Sequence, residues 1–503
     1  MHLQPAFQSL PTRSAGLQTR RVGGPPWQGF ETSRVGDRRS GGGEADCVPG
    51  RTPAWHQART AISLRLTNSS LTNARRILKY IRTLAALTLL LASPAPAAIV
   101  GTNVPALPLT AERVQSLPAW KAYLEKSQRQ RQADQDFLRA ELKAHGLTET
   151  TFPDETHNAE GLALENPADW YGGDEARHIA DVVVSFQTPA GGWSKNSDYT
   201  EKPRAPGEMF GVESGSLYLG TNDFDAPENP HWSYVGTFDN DATTTELFFL
   251  AKVIAATRPE NAAWEKSLLH GLDYIFAAQF PNGGWPQVWP LQGGYHDTIT
   301  INDDAMLHIL EFLQDVAGGR NEFSFVPRRA RKAAAASFQR GLKCLLAAQI
   351  VANGQRTIWC QQYDAITLQP ASARNYEMPA LVSSESAAIV QFLMSLPNPD
   401  SNEVAAVHTA CAWFEKNKIM GVAYKSGGSE GRKLVAAPGS GPLWARFYEI
   451  GTNRPIFGDR DKTIHDDVNE LSRERRNGYG WYRDTPKPVL VQYANWSKSH
   501  PQN

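Results

Sequence analysis

The chain has 503 residues, of which 51 are Lys or Arg and 52 are Asp or Glu, and its formal net charge is −1. This length suits one large domain or two ordinary ones, and the balanced charge leaves no global basic surface for nucleic acid. The four cysteines include no CxxC pair, which argues against a structural zinc site. The 14 tryptophans suit either sugar stacking or a large buried core.

The N-terminal region differs in composition from the rest of the chain. Residues 1–74 are rich in Gly, Pro, Ser and Arg and have no apolar period, so we predict an unstructured preface. Residues 75–98 combine a basic stretch, the apolar run Leu84–Leu91 and the small residues Ala95 and Ala97, which is the pattern of a secretory signal peptide. A membrane span needs about 20 apolar residues, so we expect no stable anchor. We expect translation to start near residue 70 and the product to be secreted or periplasmic.

Residues 105–500 make up the predicted main domain, which opens with a charged helical segment at 105–150. After this segment, a helix that ends in Gln is repeatedly followed by a loop with Gly and Trp. The copies lie at Gln187 and Trp193, at Gln279 and Trp285 and, in degraded form, at Gln349 and Trp359. A recurring helix–loop unit predicts a repeat architecture.

A second repeat interleaves with the first. Each copy begins with polar, often acidic residues and continues as a nearly all-apolar helix, at 238–254, 301–316 and 383–396. Polar residues at the start are typical N-caps, and a helix that is apolar on all sides is buried on all sides. Buried helices that alternate with more amphipathic ones predict an all-α toroid. All the buried helices would begin at one face, where long loops and a cleft are expected.

Acidic residues occupy the predicted start of each buried helix. They are Asp239 and Asp241 on either side of Asn240, then Asp303 and Asp304, and finally Glu385. Taken singly, each carboxylate is explained as a helix cap that complements the helix dipole, worth about 0.3–1 kcal/mol. Taken together, carboxylates at one rim repel one another unless a cation neutralises them. Because oxygen ligands suit Ca²⁺ or Mg²⁺, the set predicts a site for such a cation.

Aromatic and basic residues are predicted near the same face. Trp193, Trp285 and Trp289 either form stacking platforms for sugar rings or pack between helices, and the sequence leaves both alternatives open. Lys195 and Asn196 follow the first of these tryptophans in a polar run, which favours exposure to solvent.

Three arginines in the C-terminal part of the chain have unusual surroundings. Arg374 lies just before the third buried helix, Arg446 lies between Trp444 and Phe447, and Arg460 lies in the stretch FGDRD. The planar guanidinium group binds carboxylates in two places. Arginines beside an acidic, cation-binding rim predict a polyanionic ligand that bears carboxylates.

With these motifs, the chain resembles the polysaccharide lyase family 10 pectate lyases. The matching stretches occur in order between residues 160 and 490: GGWSKN, TFDNDATTTEL, AAQFPNGGWPQVWP, ITINDDAMLHILEFL, CQQYDAITLQPASARNYEMPALVSSESA, ARFYEIGTNRPIFGDRD and RNGYGWY. The resemblance implies an (α/α)3 toroid, dependence on Ca²⁺ and cleavage of polygalacturonate by β-elimination.

The resemblance also implies roles for individual residues. Asp239 and Asp303 match the calcium-handling acids, although Asp304 adjoins the second of them. Arg374 matches the catalytic arginine. The implied substrate contacts are Asn240, Arg446 and Arg460, to which we add Lys195 because of its loop and charge.

The chemistry of elimination fits these residues. The proton on C5 must be removed, and the products include a 4,5-unsaturated uronate end. Ca²⁺ between the uronate carboxylate, Asp239 and Asp303 would acidify C5 and stabilise the developing anion. Arg374 would take the proton. Because a free Arg has a pKa above 12, we expect neighbouring cations to lower the pKa of Arg374, and we expect an alkaline optimum.

Three rival interpretations remain. The QxxxGxW runs at Gln187–Trp193 and Gln279–Trp285 also match the repeat of triterpene cyclases, which suggests a terpenoid cyclase-like enzyme. A non-catalytic polyuronate-binding protein would use the Trp and Arg residues without the calcium acids, and a glycoside hydrolase would use two carboxylates as acid and base. We expect a monomer. Cys344 and Cys360 are close enough in sequence to pair, and the state of these and of Cys411 stays open.

Overall fold

The structure is a computed structural model that describes residues 99–153, 161–212, 235–258 and 262–502, together with 156, 159, 223 and 224. The predicted preface at 1–74 and signal peptide at 75–98 lie outside the described residues. Within the described ranges, no helix is both long enough and apolar enough to cross a bilayer.

Helices form the frame of the described chain. They are α1 (Ala111–Val114), α2 (Pro118–Ala144), α3 (Asp174–Ser185), α4 (Thr244–Thr257), α5 (Ala262–Ala278), α6 (Ala305–Gly318), α7 (Arg328–Ala347), α8 (Ser383–Ser395), α9 (Ser401–Lys416), α10 (Arg473–Gly478) and α11 (Pro486–Trp496). The strands are short. They are β1 (Ile99–Thr102), β2 (Gly236–Thr237), β3 (Val288–Trp289), β4 (Ile299–Thr300), β5 (Val351–Ala352), β6 (Gln355–Arg356), β7 (Gln362–Tyr363), β8 (Leu381–Val382), β9 (Val422–Ser426), β10 (Arg432–Ala436), β11 (Trp444–Ala445), β12 (Phe447–Tyr448), β13 (Pro455–Gly458), β14 (Thr463–His465) and β15 (Tyr482–Arg483).

The three predicted buried helices are present as α4, α6 and α8, and most of their residues are buried. Each packs against the helix that follows it, which gives the pairs α4/α5, α6/α7 and α8/α9. Helix α6 also contacts both α4 and α8. The apolar runs predicted these helices correctly because burial on every side requires apolar residues on every side.

The prediction of an all-α fold is wrong in one respect. Strands β1, β14, β13, β12 and β8 form an antiparallel sheet in that order. Segments of two to four residues are too short to produce a recognisable alternating pattern in the sequence. The fold is therefore mainly helical with small sheets. A short strand also precedes each buried helix: β2 lies before α4, β4 before α6 and β8 before α8. These strands pair with β3, β7 and β12, respectively.

The repeated tryptophans are core residues. Trp193, Trp285 and Trp359 are at most 1% exposed, and Trp289 is also buried, so the alternative of sugar-stacking platforms is not supported. Each indole N–H donates to one of the last four carbonyls of the preceding helix, groups that have no partner inside that helix. The acceptors are Val183 of α3 at 2.7 Å, Ile275 of α5 at 2.9 Å and Leu345 of α7 at 2.8 Å. Trp444 repeats this contact with Phe414 of α9 at 2.9 Å.

The repeated glutamines connect each loop to a neighbouring helix. The side-chain Nε2 of Gln187, Gln279 and Gln349 donates to two backbone carbonyls. One carbonyl lies in the same loop, and the other lies in the next helix pair along the chain. The second acceptors are Ser267 of α5, Ser337 of α7 and Ala406 of α9, at 2.9, 3.0 and 3.2 Å. The Gln/Trp motif is therefore a structural device, which accounts for its repetition without a cyclase site.

The cysteines of the described chain are free thiols. Cys344 and Cys360 do not pair, although their spacing in the sequence permits it. Burial raises the pKa of Cys344 to about 12 and also raises that of Cys360, so both remain protonated and unreactive.

We expect Asp134→Asn to stabilise the protein at alkaline pH. Asp134 is buried in α2, and its Oδ2 has no hydrogen-bond partner. Burial raises its pKa to about 7, so the stability that depends on its proton is complete in acid and is lost as the pH rises through 7. The Tm should rise by several degrees at about pH 8.5 and change little at about pH 4, since each pKa unit corresponds to about 1.4 kcal/mol.

The matched control for this variant is Asp136→Asn, which changes an exposed carboxylate of the same helix. It should not stabilise the protein at any pH. Equal Tm changes at both pH values for Asp134→Asn would contradict the prediction.

Candidate active site

Two tight turns carry the acidic residues that precede α4 and α6. Asp239–Asp241 and Asn302–Asp304 form 3-10 turns, and their middle residues, Asn240 and Asp303, both have φ of 51°. Asn and Asp tolerate this left-handed region better than most residues. The two turns contact each other. In the described structure, no side chain caps α4 or α6, so helix capping does not explain these carboxylates.

Lys195 is the direct partner of Asp239. Its Nζ contacts Asp239 Oδ2, and the backbone N–H of Asp239 donates to Thr237 Oγ1 at 3.1 Å. Burial raises the pKa of Asp239, but the charge and hydrogen bond of Lys195, with a further contribution from Arg374, bring it below its ordinary value. Lys195, predicted as a substrate contact, is thus the counter-ion of a predicted calcium ligand.

Asp303 is exposed to solvent, yet the surrounding protein desolvates its carboxyl group. Asn302 Nδ2 donates to its Oδ2 at 2.6 Å. Desolvation by the surrounding protein and repulsion from Asp239 raise the pKa of Asp303 to about 6, against the opposing effects of Arg446 and Arg374. A carboxylate in this position would be stabilised by an additional cation.

Arg374 is held by Glu377. Its Nε donates to Glu377 Oε2 at 2.7 Å and its Nη2 to Oε1 at 2.6 Å, while Nη1 has no hydrogen-bond partner among the described residues. The side chain of Arg374 is 32% exposed and that of Glu377 is 1% exposed. Burial lowers the pKa of Arg374, but the charge of Glu377 raises it well above its ordinary value. This direction is opposite to the predicted depression by neighbouring cations.

Arg446 lies almost completely buried between oxygen acceptors. Its Nη2 contacts Glu385 Oε1 and donates to Asn302 Oδ1 at 3.2 Å. Its guanidinium group lies 4.6 Å from the ring centroid of Tyr479. Because Asn302 also donates to Asp303, this amide connects Arg446 with the second acidic turn.

Three guanidinium groups lie around the buried ring of Tyr376. Arg374, Arg460 and Arg475 lie 5.1, 4.9 and 4.2 Å from its centroid. Arg460, which is half-buried, also approaches Glu474 at 3.5 Å. Arg460 is therefore a neighbour of Arg374, although 85 residues of chain separate them in sequence.

The seven predicted site residues thus lie in one connected region: Lys195, Asp239, Asn240, Asp303, Arg374, Arg446 and Arg460. Asp304 adjoins this region but has a different main charged partner. Its pKa is raised to about 7 by burial, and its main charged neighbour is His308, which pairs with Asp241 at 2.9 Å. This difference separates Asp303 from Asp304, which the sequence could not do.

Sequence reasoning missed several residues that border the candidate site. Glu377, Tyr376 and Tyr479 surround the arginines, and only the fold brings the last of them into position. Tyr295 and His296 stack with their ring centroids 4.1 Å apart. Burial and the charge of Lys195 lower the pKa of His296 to about 4, so its imidazole is neutral. No pattern in the sequence marks these two residues.

Comparison with known proteins gives matches to one family of enzymes. The sequence profile of the pectic acid lyases matches residues 187–490. The family 10 polysaccharide lyase of Cellvibrio cellulosa is 32% identical, with a TM-score of 0.54 over 67% of this chain and 97% of that chain. A mutant of that lyase in complex with trigalacturonic acid is 31% identical, with a TM-score of 0.54 over 67% of this chain and 99% of the other. None of the curated proteins compared is significantly similar.

The mainly helical fold is therefore that of a polysaccharide lyase. The chain belongs to the pectic acid lyase family, within polysaccharide lyase family 10, and is a pectate lyase. The family assignment favours elimination over the cyclase, hydrolase and binding-protein alternatives.

We expect two substitutions of Asn240 to separate the effect of its backbone conformation on stability from the effect of its side chain on substrate binding. Asn240 has a left-handed φ of 51° and an exposed side chain. Asn240→Gly keeps this conformation accessible, whereas Asn240→Ala should lower the free energy of unfolding by about 1 kcal/mol relative to the glycine variant. If the amide contacts substrate, KM should rise equally in both variants. Thermal unfolding and steady-state kinetics check the two parts, and equal stability would contradict the first.

Proposed function

We propose that this enzyme cleaves de-esterified polygalacturonate by calcium-assisted β-elimination and leaves a 4,5-unsaturated uronate at the new end. The observation that carries the proposal is the convergence of Asp239 and Asp303 with the guanidinium groups of Arg374 and Arg446. A polyuronate supplies a carboxylate on every sugar, which guanidinium groups bind well. The complex of the similar Cellvibrio cellulosa lyase with trigalacturonic acid supports an acidic sugar chain as the ligand.

The donor set of this region fits calcium. Asp239 and Asp303 present the carboxylate oxygens that Ca²⁺ prefers, and a divalent cation would relieve their repulsion. Among the described residues, no group of three or more His, Cys, Asp or Glu is arranged to hold a metal. Since Ca²⁺ takes about 6–8 oxygens, water and substrate carboxylate would complete the shell. We therefore expect weak calcium binding without substrate.

Different residues are proposed to bind calcium and to bind the substrate during elimination. When bound to Asp239 and Asp303, calcium supplies positive charge that acidifies C5 and stabilises the developing anion. The residues proposed to bind and orient the uronate chain are Lys195, Asn240, Arg446 and Arg460.

Arg374 is proposed to take the C5 proton through Nη1. The electron pair of the C5–H bond becomes the C4–C5 double bond, and the glycosidic bond from C4 to oxygen breaks. The departing oxygen takes a proton from water. Because Glu377 raises the pKa of Arg374, only a small fraction of the guanidine is neutral at ordinary pH. Activity should therefore rise with pH.

Three broader features belong to the same proposal. The pairs α4/α5, α6/α7 and α8/α9 support an (α/α)3 toroid formed by residues 105–500 as the catalytic domain. Pectate is an extracellular polymer, which supports a secreted or periplasmic enzyme with residues 75–98 as its signal peptide. We propose a monomer, because the buried helices pack within one chain.

The direct test follows elimination by the ultraviolet absorbance of the conjugated 4,5-double bond. With polygalacturonate at alkaline pH, the wild-type enzyme should produce this absorbance, and a calcium chelator should abolish it. Arg374→Ala should lower kcat by about 10²-fold or more. Arg374→Lys should do the same, because Lys cannot form the two bonds to Glu377. Arg356→Ala, which changes an exposed arginine, serves as the control.

Two outcomes would contradict the proposal. New reducing ends without the absorbance would indicate a hydrolase. Near wild-type turnover of Arg374→Lys at alkaline pH would exclude a specific role for the guanidine.

We also expect Lys195 to compete with calcium for Asp239. Lys195→Met removes the ammonium group from Asp239 Oδ2, so Ca²⁺ should bind the substrate-free enzyme about tenfold more tightly, a difference of about 1.4 kcal/mol. Calorimetric titration with Ca²⁺ measures this without turnover. Lys202→Met, at an exposed lysine, is the control, and weaker calcium binding by Lys195→Met would refute the competition.

A further inference from the structure

The contacts of Arg374 leave its three nitrogens in different situations. Nε and Nη2 both donate to the carboxylate of Glu377, at 2.7 and 2.6 Å, and Nη1 makes no hydrogen bond within the described residues. Glu377 is almost completely buried, whereas the side chain of Arg374 is one-third exposed. One side of the guanidinium group is therefore fixed by the protein interior, and the other remains accessible to a ligand.

We propose that Glu377 is a positioning residue that holds the Arg374 guanidine so that Nη1 is the nitrogen presented to the substrate. Loss of a proton from Nε would break its hydrogen bond to Glu377. Loss of a proton from Nη1 leaves both donated hydrogen bonds intact. A buried aspartate in Ser-His-Asp enzymes similarly fixes which nitrogen of the histidine accepts the proton. The inference rests on the proposed role of Arg374 as the base.

Glu377 is itself held firmly enough for this role. Tyr479 donates its hydroxyl to Glu377 Oε1 at 2.7 Å, and the backbone N–H of Arg374 donates to Oε2 at 3.1 Å. Burial raises the pKa of Glu377, but the charge and hydrogen bond of Arg374 and the hydroxyl of Tyr479 lower it to about 2. Glu377 therefore stays ionised throughout the pH range of activity, and titration of this carboxylate does not shape the pH profile.

Other charged and titratable groups face Arg374 and could influence its proton. They are Tyr295, His296, Tyr376, Arg475, Tyr479 and the two carboxylates Asp239 and Asp303. Glu377 is the acidic group with direct hydrogen bonds to the guanidinium. Because the charge of Glu377 also raises the pKa of Tyr376 and of Tyr479, the rates are compared at about pH 8–9, below the ordinary pKa of a phenol.

The test is the pH dependence of kcat for Glu377→Gln at saturating calcium and polygalacturonate. An amide cannot accept two hydrogen bonds in the same way and carries no charge. On the rising part of the profile, below the pKa of Arg374, kcat should fall by about tenfold at each pH while KM changes little. The misplaced guanidine lowers the rate by about 10²-fold, and loss of the nearby opposite charge recovers about tenfold by lowering the pKa of Arg374 by about one unit. A kcat equal to or above that of the wild type over this range would overturn the proposal.

Glu377→Asp separates charge from position. It keeps the carboxylate but withdraws it by one methylene, so kcat should fall by the full orientation loss of about 10²-fold, without the gain that a lowered pKa of Arg374 would bring. Should Glu377→Gln fail to fold, Tyr479→Phe removes one donor to Oε1 and keeps the ring beside Arg446. It should lower kcat by a few-fold without a change in KM, and a wild-type rate in this variant would count against the proposal.

Two controls distinguish positioning from general destabilisation. Glu141→Gln disrupts another two-pronged carboxylate pair, with Arg204 at 2.9 Å for its Nη1, outside the site. It should alter Tm without lowering kcat. Arg374→Ala tests the parent proposal separately. If Arg374→Ala retains activity, the base assignment fails. If it is inactive while Glu377→Gln keeps the wild-type kcat, only the positioning role fails.

Discussion

The structure depends on how the backbone carbonyls at the ends of α3, α5 and α7, the helices that precede the buried ones, are satisfied. The last four carbonyls of a helix have no partner within that helix, and an unpaired buried carbonyl destabilises the fold by about 1–3 kcal/mol. The indole N–H groups of Trp193, Trp285 and Trp359 each donate to one such carbonyl, although Val183 also accepts from the backbone N–H of Phe186, and the glutamines of the same loops connect to the next helix pair. These loops set where α4 and α6 begin, and hence where the acidic turns lie.

The site that results concentrates charge, and each strongly buried charge has a partner of opposite sign. Glu377 pairs with Arg374, and Glu385 pairs with Arg446. Asp303 is exposed and has no ion-pair partner among the described residues, and the largest effect of a charged group on its pKa is repulsion from Asp239. The charges of these arginines are therefore balanced within the protein, whereas that of the Asp303 carboxylate is not. Such a site is suited to bind a cation and an anionic chain together. This imbalance connects the fold to polyuronate chemistry.

The sequence alone was enough to predict the features that repeat or that extend over many consecutive residues. The three buried helices are visible as apolar runs, and the motifs around Asp239, Asp303 and Arg374 were recognisable. The sequence could not decide whether Trp285 stacks on sugar or fills the core, because burial depends on the neighbouring helices. It also could not indicate that Lys195 would face Asp239, 44 residues further along the chain. The short strands of the sheet lacked any pattern long enough to read.

Glu377 holds Arg374 in position, but its negative charge also lowers the fraction of Arg374 that is neutral. The sizes of these two effects on the rate decide which one dominates. A nearby opposite charge raises a pKa by about one to three units, which lowers the neutral fraction of Arg374 at fixed pH by the corresponding factor. Part of this loss is recovered, because the neutral guanidine becomes a stronger base as its pKa rises. A misplacement of about 1 Å lowers the rate by about 10²-fold. Orientation by Glu377 therefore outweighs the remaining loss, and a base with high pKa suits a weakly acidic C–H bond beside a carboxylate.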